Sequence, residues 1–450
     1  MSTTIWRTFP PKENMLRTGP TRQLKPVVSR RHFLAGGVAV TCFGSVSNAQ
    51  IAPDGFRVLR AAPADVRLDG APELQTALAA FEASVPGPLL RIALGDELKV
   101  RFVNDLPVAE AIDWYGMRPV PQHNLTDFIL PMVASGQSRD DRLRALYAGT
   151  FWYRGVLNPN HRLYGPLIVE EAALPKIDKE FVLIFDDWTT PGPSAGAVAG
   201  RPFTSVNSAS SIEIAARSNE RLRLRIINAG VRIVALRFER HAPRVMAIDG
   251  LPAQSFSPTG GRVALAPGNR IDLFLDALLE PGASAPIVLE EPDRETLVGK
   301  IVYGPAAARP APMPDPEPLA PSRLPERIDL SASAKVFTRL DDAKAWIASE
   351  PLTSTSRLAP LFRIRRGSAV TLAVANPTRA GRVVHPHAHH VRLLDRLDDG
   401  WKPFWLDTVL IEAGATSRIA FVADTVGRWA VECRALNERS PASWAWFEVY

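Results

Sequence analysis

Cysteine is almost absent from this 450-residue sequence, which contains only Cys42 and Cys433. An internal disulfide is excluded once the leader predicted below is removed, because only Cys433 then remains. Long apolar runs are lacking as well. The run from Leu34 to Val46 is too short to span a bilayer and no later run is long enough, so no transmembrane segment is predicted in the mature chain.

Residues 1–49 have the composition of a leader. Arg30 and Arg31 lie just before the weakly apolar run, and Ser47-Asn48-Ala49 is a small-residue cleavage site. This arrangement resembles a twin-arginine export signal and predicts a periplasmic location.

An excess of either charge is also missing from the mature chain. Residues 1–49 hold seven of the 53 Lys and Arg residues and one of the 47 Asp and Glu residues, which leaves 46 of each. The basic pI therefore describes the leader, and nucleic acid is not predicted as a partner.

The rest of the sequence is typical of an all-β protein. Forty prolines and 29 glycines interrupt short runs rich in Val, Ile, Leu and Phe. These runs predict three modules, at 52–174, 176–304 and 326–450, with a proline-rich extended linker at 305–325. Short helices are predicted only at 73–83 and 341–349.

Several polar residues are predicted to be structural. Arg221, Arg223 and Arg225 alternate with leucines, which predicts a solvated strand face. Asp186 and Asp187 are predicted to form an exposed turn. The remaining isolated histidines, His123, His161 and His241, are predicted to be structural residues.

The last third of the chain contains the strongest candidate for a metal site. His385, His387, His389 and His390 fall within six residues, and Cys433 follows. Imidazole and thiolate are ligands for copper or zinc. The alternatives are a buried structural thiol and a surface strand on which His385, His387 and His389 face solvent together.

Six phrases occur in the order found in multicopper oxidases, and together they resemble that family. Residues 112–118 (IDWYGMR) resemble its His-Trp-His-Gly phrase, and residues 149–156 (GTFWYRGV) its Gly-Thr-x-Trp-Tyr-His-x-His phrase. Residues 223–229 and 266–270 resemble middle-domain signatures, and residues 407–409 and 427–434 the closing run. The resemblance implies three consecutive cupredoxin-like (plastocyanin-like) Greek-key β-sandwich domains, with one copper in the last domain and three between the first and last.

Most of the family's copper ligands are replaced in this sequence. The resemblance puts the cluster histidines on Asp113, Tyr115, Arg154, Val156, Glu432 and Arg434. The second blue-copper histidine falls on Glu438 and the axial methionine on or near Ser443. Read without a gap, the histidine phrase puts His385 beside the thiol, with Ala388 and His390 at the cluster positions; a one-residue gap puts His387 and His389 there instead. Both registers stay open.

These replacements favour a structural role. Arg154 and Arg434 would place permanent positive charge where copper ions should sit, so ion pairs of Arg154 with Asp113, or of Arg434 with Glu432, are expected in place of the cluster. The family includes a copper-free, twin-arginine-exported cell-division scaffold, which implies a non-catalytic periplasmic protein with unidentified protein partners. The alternatives are an oxidoreductase with a partial copper set at His385 and Cys433, and a periplasmic metal carrier that uses the histidine cluster.

Overall fold

The computed structural model describes residues 39–40, 51–68, 71–119, 130–189, 202–348, 358–394 and 404–450. Strands dominate this part of the chain; it contains one 3-10 turn, at Thr259–Gly261, and no α-helix. The predicted all-β class is therefore confirmed. The predicted leader lies outside the described residues except for strand β1 (Ala39–Val40), and His123 also lies outside them.

Residues 57–170 form a five-stranded sheet and a four-stranded sheet. Their strands are β2 (Arg57–Leu68), β3 (Ala71–Phe81), β4 (Leu90–Ala93), β5 (Glu97–Asn104), β6 (Ile112–Tyr115), β7 (Arg118–Pro119), β8 (Gln137–Arg144), β9 (Gly149–Gly155) and β10 (Tyr164–Glu170). The strand orders are β3-β2-β5-β8-β7 and β4-β10-β9-β6. We call these residues the first stretch.

Residues 179–303, the second stretch, form a seven-stranded and a five-stranded sheet. Their strands are β11 (Lys179–Thr189), β12 (Pro202–Val206), β13 (Ile212–Ala216), β14 (Arg221–Asn228), β15 (Val234–Phe238), β16 (Arg244–Ile248), β17 (Leu251–Phe256), β18 (Arg262–Leu265), β19 (Arg270–Asp276), β20 (Ser284–Glu290) and β21 (Glu295–Tyr303). The orders are β1-β11-β14-β19-β16-β17, with β12 beside β11, and β13-β21-β20-β15-β18.

Residues 334–449, the third stretch, form a four-stranded and a six-stranded sheet. Their strands are β22 (Ala334–Arg339), β23 (Ile347–Ala348), β24 (Arg363–Ile364), β25 (Ala369–Ala375), β26 (Arg382–Pro386), β27 (Arg392–Leu394), β28 (Val409–Ile411), β29 (Thr416–Val422), β30 (Gly427–Ala435) and β31 (Ser443–Val449). The orders are β22-β25-β29-β27 and β23-β31-β30-β26-β28, with β24 beside β31.

Each core is built from the apolar faces of paired sheets. Along β5 every second side chain is buried, as expected for a strand with one face on a core. Leu59 and Phe102 from one sheet of the first stretch pack in one cluster with Phe151 and Leu167 from the other. The second and third stretches share a larger cluster. No strand lies between Tyr303 and Ala334, where the linker is predicted; the domain boundaries themselves stay predictions.

The predicted helix at 73–83 is wrong. Ala71–Phe81 is strand β3, which pairs antiparallel with β2 along most of its length. The segment is rich in Ala, Leu, Glu and Gln, which favour helices in isolation. Intrinsic propensities amount to tenths of a kcal/mol per residue, so pairing in a sheet overrides them.

The predicted helix at 341–349 is wrong as well. Only one turn forms, in which the Trp346 amide donates to the Asp342 carbonyl at 2.9 Å. The indole of Trp346 is buried and donates to Thr338 Oγ1 at 2.9 Å, and β23 follows at once and pairs with β31. Burial of the indole and sheet pairing therefore end the turn. Ser349 lies outside the described residues.

The prediction that Arg221, Arg223 and Arg225 form a solvated face is also wrong. All three are at most 2% exposed, because β14 lies inside the seven-stranded sheet and other residues cover its arginine face. Arg223 Nη2 lies 2.6 Å from Asp272 Oδ2 and 2.6 Å from Glu171 Oε1. Alternation of arginine with leucine shows that a strand has two different faces, but not which of them is covered.

Glu180 is a partner of these arginines and should make the fold sensitive to acid. Burial raises the pKa of Glu180, but Arg225, Arg223 and Arg91 lower it by more than burial raises it. The pKa of Glu180 therefore falls from 4.5 to about 2. Its contribution to stability is therefore complete above the unfolded pKa of 4.5 and is lost as the pH falls toward 2. Urea unfolding of Glu180→Gln between about pH 5 and pH 3 should show a shallower loss of stability than the unchanged chain. Equal slopes would contradict this assignment.

Asp186 and Asp187 are buried in β11, so the predicted exposed turn is wrong. Asp186 Oδ2 lies 3.0 Å from Arg162 Nε and accepts from the Tyr164 hydroxyl at 3.0 Å. Asp187 accepts from Arg232 through the backbone amide and the guanidinium Nε, each at 2.9 Å.

A membrane-crossing helix is not found in the portion of the chain that the structure describes.

Candidate metal centre

Four strands bring polar side chains together where the first stretch meets the third. In the ladder of β6 with β9, Asp113 is opposite Arg154, and in the ladder of β26 with β30, His385 is opposite Glu432. Opposite residues in an antiparallel ladder project on the same face, so each pair of strands presents two polar groups. The two faces meet, because Arg154 pairs with Glu432 and Asp113 lies beside His385.

Glu432 is the centre of a buried charged cluster. It forms an ion pair with Arg154, and its Oε2 lies 3.7 Å from Arg434 Nε and accepts from the Tyr115 hydroxyl at 3.3 Å. Arg434 Nη2 in turn donates to the Tyr115 oxygen at 3.1 Å. Burial raises the pKa of Glu432, but Arg154 and Arg434 lower it by more than burial raises it. The resulting pKa is about 2. The expected pair of Arg434 with Glu432 is present, but the expected pair of Arg154 with Asp113 is wrong, because Arg154 pairs with Glu432 instead.

Asp113, His385 and His387 form a second cluster beside the first. Asp113 Oδ2 lies 3.5 Å from His385 Nε2, and Asp113 Oδ1 lies 3.1 Å from His387 Nδ1. One ligand atom from each of the three buried residues lies within 4.8 Å of the other two. We call this group the Asp-His-His site.

The ring of His385 is held in one orientation. Its Nδ1 lies 2.6 Å from the carbonyl oxygen of Asp407. A carbonyl oxygen can only accept, so Nδ1 carries the proton and Nε2 presents its lone pair. The ring also stacks on Tyr115, with centroids 4.1 Å apart and planes 8° from parallel.

The buried carboxylate of Asp113 lies among basic side chains. Burial raises its pKa, but His387, His385 and Arg154 together bring the pKa below the usual value. Asp113 Oδ2 and His387 Nε2 are buried without a hydrogen-bond partner among the described residues. Buried polar atoms of this kind are rare, and they are often explained by an ion or ordered water.

His389 and His390 point away from this site. The ring of His389 lies against three aromatic side chains: Phe421, Trp429 and Phe447. His390 contacts Tyr147, with ring centroids 5.4 Å apart. Burial lowers the pKa of His389 to about 4 and that of His390 to about 3. The predicted solvent-facing histidine strand is therefore wrong: β26 ends at Pro386, and Ala388 adopts a positive φ of 56°, which breaks the strand alternation.

Cys433 does not join His385. It is opposite Val384 in the ladder of β26 with β30, so it projects on the sheet face opposite to that of His385. Burial raises the pKa of the Cys433 thiol to about 12. The positive charge of Arg382, which lies on the same sheet face as Cys433, opposes this rise in part. The expected site built from His385 and Cys433 is therefore not formed.

Comparison with known proteins agrees with this architecture. Models of multicopper oxidase domains match residues 64–173 and 329–441. The chain is 25% identical over 437 residues to multicopper oxidase MmcO of Mycobacterium tuberculosis, which covers 82% of each chain. The multi-copper oxidase of Pseudomonas thermotolerans has a similar structure, with a TM-score of 0.74 and 26% identity over 87% of this chain and 98% of that one. Lac15 from a marine microbial metagenome has a TM-score of 0.70 and 27% identity over 87% and 99%.

This chain is related to the multicopper oxidases, since two domain models of that family match it and the relatives named above cover most of its length. The predicted cupredoxin-like architecture is confirmed by these structural neighbours. Multicopper oxidases bind copper, so the residues at the family's ligand positions must be tested against that metal.

The side chains present do not fit the family's three-copper cluster. Arg154 and Arg434 lie at cluster positions and form ion pairs with Glu432. The two guanidinium groups therefore put permanent positive charge where the copper ions would bind. Val156 offers only its backbone amide, which donates to Glu110 Oε1 at 3.1 Å. A guanidinium cannot give up its proton to bind a metal ion.

The blue-copper position of the multicopper oxidases is also incomplete. Ser443 lies opposite Cys433 in the ladder of β30 with β31, and Arg382 shares the face of the thiol. Glu438 is exposed, whereas Cys433 is buried. Neither register considered for the histidine phrase describes the arrangement, since both put His385 beside the thiol.

Two residues were missed at the sequence level. The sequence comparison treats Asp113 only as the replacement of a histidine ligand. A carboxylate is itself a metal ligand, so the replacement of histidine by aspartate could have indicated the site. Arg382 had no signal, because only the strand register brings it to the face of Cys433.

Proposed function

We propose that this protein is an exported, ligand-depleted multicopper oxidase homologue that does not reduce dioxygen and serves as a non-catalytic structural or interaction protein of the periplasm. The buried cluster of Arg154, Glu432 and Arg434 carries the proposal. Four-electron reduction of dioxygen in this family needs three adjacent coppers fed by a thiolate-bound copper. Neither set of ligands is assembled by these side chains.

The periplasmic location is supported by the sequence of the leader, with Arg30 and Arg31 before its apolar run. Its partners would be other periplasmic proteins. A role as metal carrier is less consistent with the contacts, because His389 and His390 pack against aromatic side chains and do not join His385 and His387 in one site.

One experiment tests location and chemistry together. The full chain is expressed with copper supplementation, recovered from the periplasmic fraction without an affinity tag, and examined for copper content, visible absorption and oxidase turnover with phenolic and metal-ion substrates. We expect periplasmic recovery, no intense thiolate-to-copper band, no turnover, and no more than one copper per chain. An Arg30→Lys, Arg31→Lys variant should stay in the cytoplasm.

About four coppers per chain with an intense blue band and turnover would overturn the proposal. A single copper without that band would not support an oxidase, because it would report on a site that lacks the thiol. Recovery of the double-lysine variant from the periplasm would contradict the export assignment.

A further inference from the structure

We propose that Asp113, His385 and His387 bind one divalent first-row transition-metal ion, and that this ion clamps the first stretch of the chain to the third. The donor set is two imidazoles and one carboxylate. These ligands suit zinc, iron(II), cobalt and copper(II), whereas magnesium and calcium prefer oxygen ligands alone. The site has no thiolate and needs none of the three-copper geometry.

The spacing of the ligand atoms suits such an ion. Zinc binds nitrogen and oxygen at about 2.0–2.1 Å, which places tetrahedral ligand atoms about 3.3 Å apart. Asp113 Oδ2 lies 3.5 Å from His385 Nε2, Asp113 Oδ1 lies 3.1 Å from His387 Nδ1, and one ligand atom of each residue lies within 4.8 Å of the other two. The three ligand atoms therefore need to move together from separations of up to 4.8 Å to bind one ion.

The orientation of His385 points to a cation. Its Nδ1 proton is committed to the Asp407 carbonyl oxygen at 2.6 Å. The neighbouring Thr408 hydroxyl donates to Asp407 Oδ1 at 2.9 Å, so it has no proton to offer the imidazole. His385 Nε2 and Asp113 Oδ2 then face each other with lone pairs only, an arrangement that a shared metal ion stabilises. A hydrogen bond from the far ring nitrogen to a carbonyl is also how proteins commonly orient a ligating histidine.

The site is buried, and two of its polar atoms have no hydrogen bond to the described residues. The side chains of Asp113, His385 and His387 are 5%, 2% and 4% exposed. Tyr115 stacks on one imidazole, and Trp444 lies beside the other, with ring centroids 5.8 Å apart. Asp113 Oδ2 and His387 Nε2 still have no hydrogen-bond partner among the described residues. A bound ion would account for the Asp113 oxygen, and three protein ligands leave a further coordination position for water or a small anion.

The position of the site predicts what the metal does. Asp113 lies on β6 of the first stretch, while His385 lies on β26 of the third and His387 just beyond it. A ligand that binds only the folded state stabilises it by mass action. For a chain of this length, zinc at a hundredfold excess over its Kd should raise Tm by about 3 °C.

The test uses the mature chain after chelator treatment and removal of the chelator. Titration with Co²⁺ should produce visible d–d absorption that saturates at one ion per chain, and Zn²⁺ should displace it and raise Tm. Asp113→Asn and His387→Gln should each weaken Co²⁺ binding by at least about tenfold and abolish the Tm response. His241→Gln is the matched control, because His241 lies in the second stretch and contacts Glu239 and Tyr303.

Equal Co²⁺ binding by the unchanged chain and both site variants would overturn the proposal, as would the absence of binding and of any Tm response in the unchanged chain. Asp113→Asn keeps the shape of the side chain, and far-ultraviolet circular dichroism checks that each variant is folded. His385→Gln replaces any variant that is not. These readouts do not depend on oxidase activity, so this proposal and the proposed function can fail separately.

Discussion

Replacing Glu432 by glutamine is expected to lower the free energy of unfolding by about 3–5 kcal/mol. Glu432 is 1% exposed and is the shared partner of Arg154 and Arg434. The substitution keeps the shape of the side chain and removes its charge, so it leaves Arg154 and Arg434, which are 12% and 13% exposed, without the carboxylate that they share. Urea unfolding at neutral pH measures the change.

Two further variants separate this explanation from a general effect of losing a carboxylate. Glu213→Gln removes an ion pair with Lys300 in which the Glu213 side chain is 61% exposed, and it should change stability by less than about 0.5 kcal/mol. Adding Arg154→Met to Glu432→Gln should recover part of the loss, because it removes one of the two uncompensated charges. A loss for Glu432→Gln no larger than that for Glu213→Gln would show that the cluster is not energetically important.

Replacing Arg270 by methionine should cost a similar amount, about 3–5 kcal/mol. The Arg270 side chain is 0% exposed, and its two terminal nitrogens each lie 2.7 Å from an oxygen of Asp407. It also donates to the backbone carbonyls of Asp249 at 3.0 Å and Thr150 at 3.3 Å. Methionine fills much of the volume but leaves the buried Asp407 carboxylate without its cation.

The matched control for Arg270 is Arg262→Met, which removes an arginine with a side chain that is 56% exposed. Its effect should be within about 0.5 kcal/mol of zero. If Arg270→Met proves no more destabilising than Arg262→Met, burial of the Asp407 partner is not what makes this arginine important.

Both large effects come from ion pairs that connect different stretches of the chain. Arg154 belongs to the first stretch and Glu432 to the third, while Arg270 of the second stretch contacts Thr150 of the first and Asp407 of the third. Buried ion pairs of this kind are strongly destabilised when one partner is removed. We therefore expect the three stretches to depend on these contacts for their arrangement, in keeping with a structural role.

Much of the fold could be predicted because it depends on local patterns and on their order. Frequent proline and glycine with short β-branched runs predicted the all-β class, and six ordered phrases resembled those of multicopper oxidases. The helices predicted at 73–83 and 341–349 failed because weak local preferences lost to strand pairing with β2 and to burial of Trp346. The burial of Arg223 and Arg225 could not be predicted, since it depends on which surface of another stretch covers β14.

The sequence by itself determined which chemical groups this protein has: two cysteines, four clustered histidines, and arginines and carboxylates at the ligand positions of an oxidase family. Only the tertiary structure decided which of them meet. Strand register puts Cys433 and His385 on opposite faces of one sheet, and the packing of that sheet against another brings Asp113, some 270 residues away in the chain, to His385 and His387. Ligand sets depend on such long-range contacts, because each donor must come within a few ångströms of the others, and spacing along the sequence does not fix that distance.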